Sequence, residues 1–248
     1  MPPADLQQYA RPNVAVDLVI LTLLPGESRE APDRLGVVVQ RRADTVPVLP
    51  GRFVRERDTV ERTVAVAMED KLGLRPRREM RLEALGVYDD PHRDPRGWSL
   101  SLAYACSLLP DERDRLLRSD TEILPVTGPA ARKERVTTEP LAYDHDDMVT
   151  TAVRRVRRRY ERSPDPLPLL RDPWTLSQLR HVHEAVLDEG LKRDTFNRRM
   201  REYVEPALDS RGEEMFTSAT VGRPAQLFRR AGASRRDPEA GPFPLPRR

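Results

Sequence analysis

Four apolar stretches dominate the first half of the chain: residues 13–24 (NVAVDLVILTLL), 35–40 (LGVVVQ), 82–88 (LEALGVY) and 98–109 (WSLSLAYACSLL). They are β-branched and aliphatic, and clusters of Pro, Gly and Asp separate them, so they are predicted to be strands. Between the second and third, DTVERTVAVAMEDKLG changes period. Val60, Val64, Met68 and Leu72 recur at helical spacing, Asp58 and Glu61 have the spacing of a capping box, and Gly73 is the expected stop. A second helix is predicted in DHDDMVTTAVRRVRRRYER, where acids open the first turn and arginines close the last, matching the helix dipole. Its apolar stripe is Met148, Ala152, Val156 and Tyr160.

The pattern then breaks. SPDPLPLLRDP, residues 163–173, carries four prolines and reads as a linker. Beyond it Thr175 and Gln178 form another capping-box pair, opening a helix that turns Leu179, Val182 and Val186 one way and is expected to end at Gly190. A further helix follows in LKRDTFNRRMREYV. Phe196, Met200 and Tyr203 share one side, Asp194, Arg198 and Arg201 the opposite one, and Thr195 and Asn197 the flanks. Two helices joined by a short Gly-containing turn, the second one basic, fit a helix-turn-helix, and equally an amphipathic helix with a solvated face. EEMFTSATVGRPAQLFRR, residues 213–230, is predicted to be a two-stranded ribbon around Gly222, Arg223 and Pro224, in the position of a wing.

Length and charge sharpen this. The 248 residues, 38% of them hydrophobic, suffice for one sizeable core and a smaller second one. Two domains are expected, at 1–162 and 174–232, with the linker at 163–173 and a basic, Pro-rich tail at 233–248 that is expected to be disordered. Lys and Arg number 43 against 40 Asp and Glu. Residues 171–248 hold 15 of those bases and 12 of the acids, so the whole excess lies in the last third, as a nucleic-acid partner would favour. No run approaches the roughly 20 apolar residues of a membrane span and no secretory leader is legible, so a cytoplasmic, nucleoid-associated protein with no membrane partner is expected. The single Cys106 lies in an apolar run and is expected in the core. His92, His181 and His183 lack the company of further metal ligands, so no metal and no cofactor is expected.

The whole chain resembles Nudix-related transcriptional regulators of the NrtR type, in which a Nudix-like effector domain precedes a winged helix-turn-helix. The carrying segments are VDLVILTL, PGRFVRERDTVERTVAVAMEDKLGL, DDPHRDPRGWSLSLAYAC, LAYDHDDMV, WTLSQLRHVHEAVL, RDTFNRRM and GRPAQLFR, in this order. The resemblance implies an α/β fold, a Nudix-like α/β/α sandwich followed by a winged helix. It also implies a DNA-binding regulator, most simply a repressor, that responds to ADP-ribose or a related nucleotide and controls NAD metabolism.

With the Nudix signature aligned on Gly73 and Leu74, Arg52 stands at its first Gly and Asp58 at its first Glu. Val66, Ala67, Asp70 and Lys71 stand where the later Arg and three Glu belong. Mg²⁺ asks for several oxygen ligands, and an alanine, one Asp and a lysine do not supply them, so no catalytic residue is expected. Arg41, Arg52, Arg55, Asp70, Lys71, Arg96 and His145 border the nucleotide cleft of the resembled fold and are the candidate ligand contacts, with surface ion pairs and a structural cap as the competing roles. Lys192, Arg193, Thr195, Asn197, Arg198, Arg199, Arg201 and Arg223 are the candidate DNA contacts, meeting a palindromic operator through a homodimer. Two other functions stay open: a Nudix-type pyrophosphatase with a basic accessory domain, and a ligand-independent DNA-binding protein.

Overall fold

A computed structural model describes residues 8–26, 31–41, 45–77, 80–116, 120–128, 135–218 and 224–232. Arg223 and the tail 233–248 lie outside the described residues. Strand β1 (Asn13–Leu24) is the spine of a mixed sheet. Its apolar run is almost unbroken because both of its faces are covered: Val16, Leu18 and Ile20 enter one core, Val19, Leu21 and Leu23 the other. Along one edge β5 (Ser99–Ser107) runs parallel to it, from Asn13 opposite Ser99 to Leu21 opposite Ser107. Along the other edge β2 (Arg34–Gln40) and β3 (Gly51–Phe53) both pair with it antiparallel, side by side. β4 (Glu83–Tyr88) joins β5, and β6 (Thr121–Pro125) joins β2, giving the order β4-β5-β1-β2-β6 with β3 set against β1.

Helix α1 (Val60–Leu72) covers one face with Val64, Ala67, Met68 and Leu72. Its N-cap is Thr59, not the expected Asp58. The Thr59 hydroxyl accepts from the Arg62 N–H at 3.1 Å, while Asp58 sits in the preceding turn and pairs with the Arg62 side chain at 3.4 Å. Gly73 ends the helix as expected, at φ 68°, a left-handed conformation suited to glycine. The one-turn helix α2 (Pro110–Arg113), β3 and β6 are too short for a periodicity to announce them. Helix α3 (His145–Tyr160) covers the opposite face with the expected stripe, and Cys106 is buried, its thiol pushed up by burial to about 12.

Segment 163–173 is no loose spacer. Leu167 and Leu169 are buried in the same apolar cluster as β1, α3 and the residues Val182, Ala185 and Val186 of α4 (Leu176–Leu187). Proline favours such burial, since it brings no N–H to be satisfied. Thr175 and Gln178 exchange their bonds as the capping box requires, at 3.2 and 2.8 Å. The left-handed stop is Asp188 at φ 57°, two residues before the expected Gly190, and its carboxylate accepts from the Gly128 N–H at 2.9 Å. Glu184 takes Arg180 and the Leu191 N–H at 2.7 Å, closing the turn into α5 (Arg193–Met200). Strands β7 (Val204–Pro206) and β8 (Phe228–Arg230) pair, and Ala207, Met215 and Leu227 bond to one another at 2.8–2.9 Å. The wing therefore has three segments where the sequence suggested two, because β7 supplies a strand directly after α5.

Candidate functional site

Two surfaces gather the chemistry. In the first, β1 carries one charged side chain into the sandwich. Asp17 is buried at the β3 end of the strand, and Gly51 stands opposite because any Cβ there would come within 2.1 Å of the Asp17 carboxylate. Ser101 donates to Asp17 at 2.7 Å and Arg93 reaches it at 3.4 Å. Arg93 also forks onto Asp144 at 2.7 and 2.9 Å. His145, the first residue of α3, accepts the Leu49 N–H on Nδ1 at 3.0 Å, which leaves its proton on Nε2, facing Asp17 at 3.6 Å. Burial alone would raise the Asp17 carboxyl, but hydrogen bonds from His145 and Ser101 and the charge of Arg93 hold it below its ordinary value.

Above this cluster lies the exposed Arg96. It forms a bidentate pair with the buried Asp94 at 2.9 and 2.7 Å, and its guanidinium carbon stands 5.7 Å from the ring centroids of both Phe53 and Tyr143. Asp94 raises the Arg96 pKa and is itself lowered by it. On the opposite face of the sheet Arg52, across from Val16 in register, pairs with Asp70 of α1 at 2.5 Å, and Ala67 of the same helix is wholly buried. Lys71 is half-buried and Arg55 exposed; neither has an ion-pair partner among the described residues. Arg41 stands apart, bound to Glu122 at 2.9 Å and Glu139 at 2.5 Å. Of the seven candidate ligand residues, Arg96 and His145 stand with Asp17 on the α3 side of the sheet, Arg52, Asp70 and Lys71 lie on the α1 side, Arg55 is exposed, and Arg41 is spent on carboxylates. Sequence reasoning missed Asp17, Arg93, Asp144, Phe53 and Tyr143. Asp17 was detectable, since a lone charge in an apolar run covered on both faces must find partners.

The second surface is α5. Phe196 and Met200 are buried against Trp174, Leu176, Leu179 and Phe228, and Tyr203 packs at the edge, as the spacing predicted. Lys192, Arg193, Asp194, Arg198 and Arg201 are exposed. Thr195, Asn197 and Arg199 are half-buried, with the Asn197 side-chain oxygen and Arg199 Nε enclosed. No cation of this helix has an acidic partner among the described residues. Arg201 instead lies over the Phe228 ring at 5.7 Å, tying the end of α5 to the wing.

Residues 166–230 match the family described as the NrtR DNA-binding winged helix domain. The chain is 26% identical over 226 residues to an "ADPR responsive transcriptional repressor NtrR" of Acinetobacter baylyi, covering 89% of this chain and 83% of that one. The chain resembles regulators of the NrtR type along both halves. The crystal structure of Shewanella oneidensis NrtR complexed with a 27mer DNA superposes with a TM-score of 0.64 at 25% identity, over 87% of this chain and 92% of that one. A MutT/nudix family protein from Enterococcus faecalis shares the fold, with a TM-score of 0.68 at 21% identity over 93% and 95% of the two chains. The likeness covers both halves, a Nudix-like α/β/α sandwich and a winged helix that carries α5.

Proposed function

We propose that this chain is a DNA-binding transcriptional regulator, a repressor, whose Nudix-like part senses ADP-ribose or a related nucleotide without hydrolysing it. The observation that carries the reading is the α5 surface. From Lys192 to Arg201 there are five cations and one acid, they are left unneutralised by the described residues, and they belong to the segment that matches the NrtR winged helix. Such a surface suits phosphate and base edges. In this reading Thr195 and Arg198 face the bases, Lys192, Arg193, Arg201 and the wing's Arg223 grip phosphate, and Asn197 and Arg199 support the helix while reaching the groove edge.

The sensor is assigned to 1–162 and the reader to 174–232. Arg96, flanked by the Phe53 and Tyr143 rings above the Asp17 cluster, is a setting for an anion joined to a flat base, and we take this as the effector cleft. The donor set on α1 does not fit Mg²⁺. Asp70 is held by Arg52, Ala67 is an enclosed methyl group, and no cluster of three potential ligands occurs among the described residues. Cytoplasmic location, a homodimer joined through the sandwich, a palindromic operator and control of NAD metabolism complete the proposal; two half-sites bind more firmly than one small module. The test is a gel shift with DNA from the protein's own promoter, with and without ADP-ribose. A shift that ADP-ribose alters supports the reading, and a chain that binds neither promoter DNA nor ADP-ribose contradicts it.

A further inference from the structure

One residue of the connector bonds to both the end of α3 and the wing. Asp165 is 1% exposed and held at φ 39°, in the left-handed region. One carboxylate oxygen accepts the Tyr160 hydroxyl at 2.5 Å and the Leu169 N–H at 2.9 Å; the other accepts the Leu170 N–H at 3.2 Å. Its main-chain carbonyl accepts from the guanidinium of Arg230, on wing strand β8. Tyr160 is the last residue of α3, and its hydroxyl also reaches the Leu167 carbonyl at 3.0 Å. The Tyr160 ring meets His183 of α4 edge-on at 4.9 Å, and His183 meets Phe196 of α5 edge-on at 5.2 Å.

The other end of α3 is in the Asp17 cluster of the proposed cleft. Asp144 stands at the N-cap position with its side chain holding Arg93, and His145 binds the Leu49 N–H and faces Asp17. Tyr143, one residue earlier, flanks Arg96. A 16-residue helix is a rod of about 24 Å. Packed helices shift as units between discrete positions and do not bend continuously, so a displacement at the cleft end is delivered at Tyr160.

We propose that the Tyr160–Asp165 pair is the joint through which α3 couples the cleft to α5 and the wing, passing through the Tyr160–His183–Phe196 stack on one side and Arg230 on the other. The proposal rests on the effector-regulated DNA binding given above. Tyr160 and Asp165 are positioning residues: they touch neither ligand nor DNA. Burial holds the Tyr160 phenol far above its ordinary value, so it stays a donor to Asp165 at all working pH values.

The test uses the full chain with Tyr160→Phe, which keeps the ring and removes only the hydroxyl. Three quantities are measured: the Kd for promoter DNA alone, the same Kd with saturating ADP-ribose, and the Kd for ADP-ribose alone. Allosteric couplings are commonly about 5- to 150-fold. In Tyr160→Phe the ratio of the two DNA constants is expected to fall at least threefold towards one, while ADP-ribose binding alone changes by less than about twofold. An unchanged ratio overturns the joint and leaves the regulator reading intact. A wild-type protein whose DNA affinity ignores ADP-ribose removes that reading and the joint with it. Should Tyr160→Phe fail to fold, Arg230→Gln, which removes only the wing's arm, is judged by the same ratio.

Discussion

Helices α1 and α5 are built alike and finished differently. Each buries a stripe of apolar residues and turns a charged face outward, yet α1 pairs three of its charges with neighbours. Arg52 pairs with Asp70 at 2.5 Å, Arg75 with Glu69 at 3.1 Å and Arg62 with Asp58 at 3.4 Å. Helix α5 leaves its cations without such partners among the described residues. Unpaired like charges repel and cost stability, so a row of them on one short helix is best understood by what it meets, and the phosphates of a duplex are the matching surface. Three of the charges on the α1 face are thus neutralised within the fold.

Placing a carboxylate at position 67 is the strongest way to break this comparison. Ala67→Glu forces a charge into a site that is 0% exposed among Val64, Met68 and Leu72. It is expected to cost about 3–5 kcal/mol of stability, the range for an unpaired buried charge, without creating hydrolysis of ADP-ribose. Urea denaturation and an assay for AMP release check the two parts. Next in size is Arg198→Ala on α5, expected to cost about 1–3 kcal/mol of operator affinity and to relax specificity at one base pair, as competition with singly mutated duplexes would reveal.

How much of this was legible follows from how local each signal is. The long elements, the α3 stripe, Gly73 and the Thr175–Gln178 box were readable because periodicity and caps act within one turn or one pleat. The buried state of 163–173 was not, because proline composition looks the same in a loose spacer and in a packed connector; Leu167 and Leu169 were the clue. The candidate cations were named by type, but whether one is free depends on chain-distant acids. Arg41 meets Glu122 and Glu139, far along the sequence, so no local pattern separated it from Arg55.

A pH effect sharpens the account of what lies beneath α5. His183 is fully buried, and burial depresses its pKa to about 3, so the folded state keeps a neutral ring that the unfolded chain protonates below about 6.5. Its contribution to stability is therefore complete above pH 6.5 and is lost as pH falls towards 3. At pH 5.5 the loss is about 1 kcal/mol, and His183→Leu should abolish it. Asp165, which burial pushes up to about 6, has the opposite dependence, but both proteins share it, so the difference between their denaturation midpoints at pH 8 and 5.5 isolates His183. The smallest effect is expected on α1. Asp70 is more than half exposed, so Asp70→Ala should change thermal stability by less than about 1 kcal/mol and leave DNA affinity unchanged.

The most direct measurement is the salt dependence of DNA binding, followed by fluorescence anisotropy on a promoter duplex for the wild type, Lys192→Ala/Arg193→Ala, and Arg52→Ala. If the free cations of α5 meet phosphate, the slope of log K against log salt should shrink by about 0.9 for each phosphate that the double variant no longer neutralises, and Arg52→Ala should follow the wild type. A double variant with the wild-type slope and affinity would contradict the central claim that α5 is the surface that reads DNA.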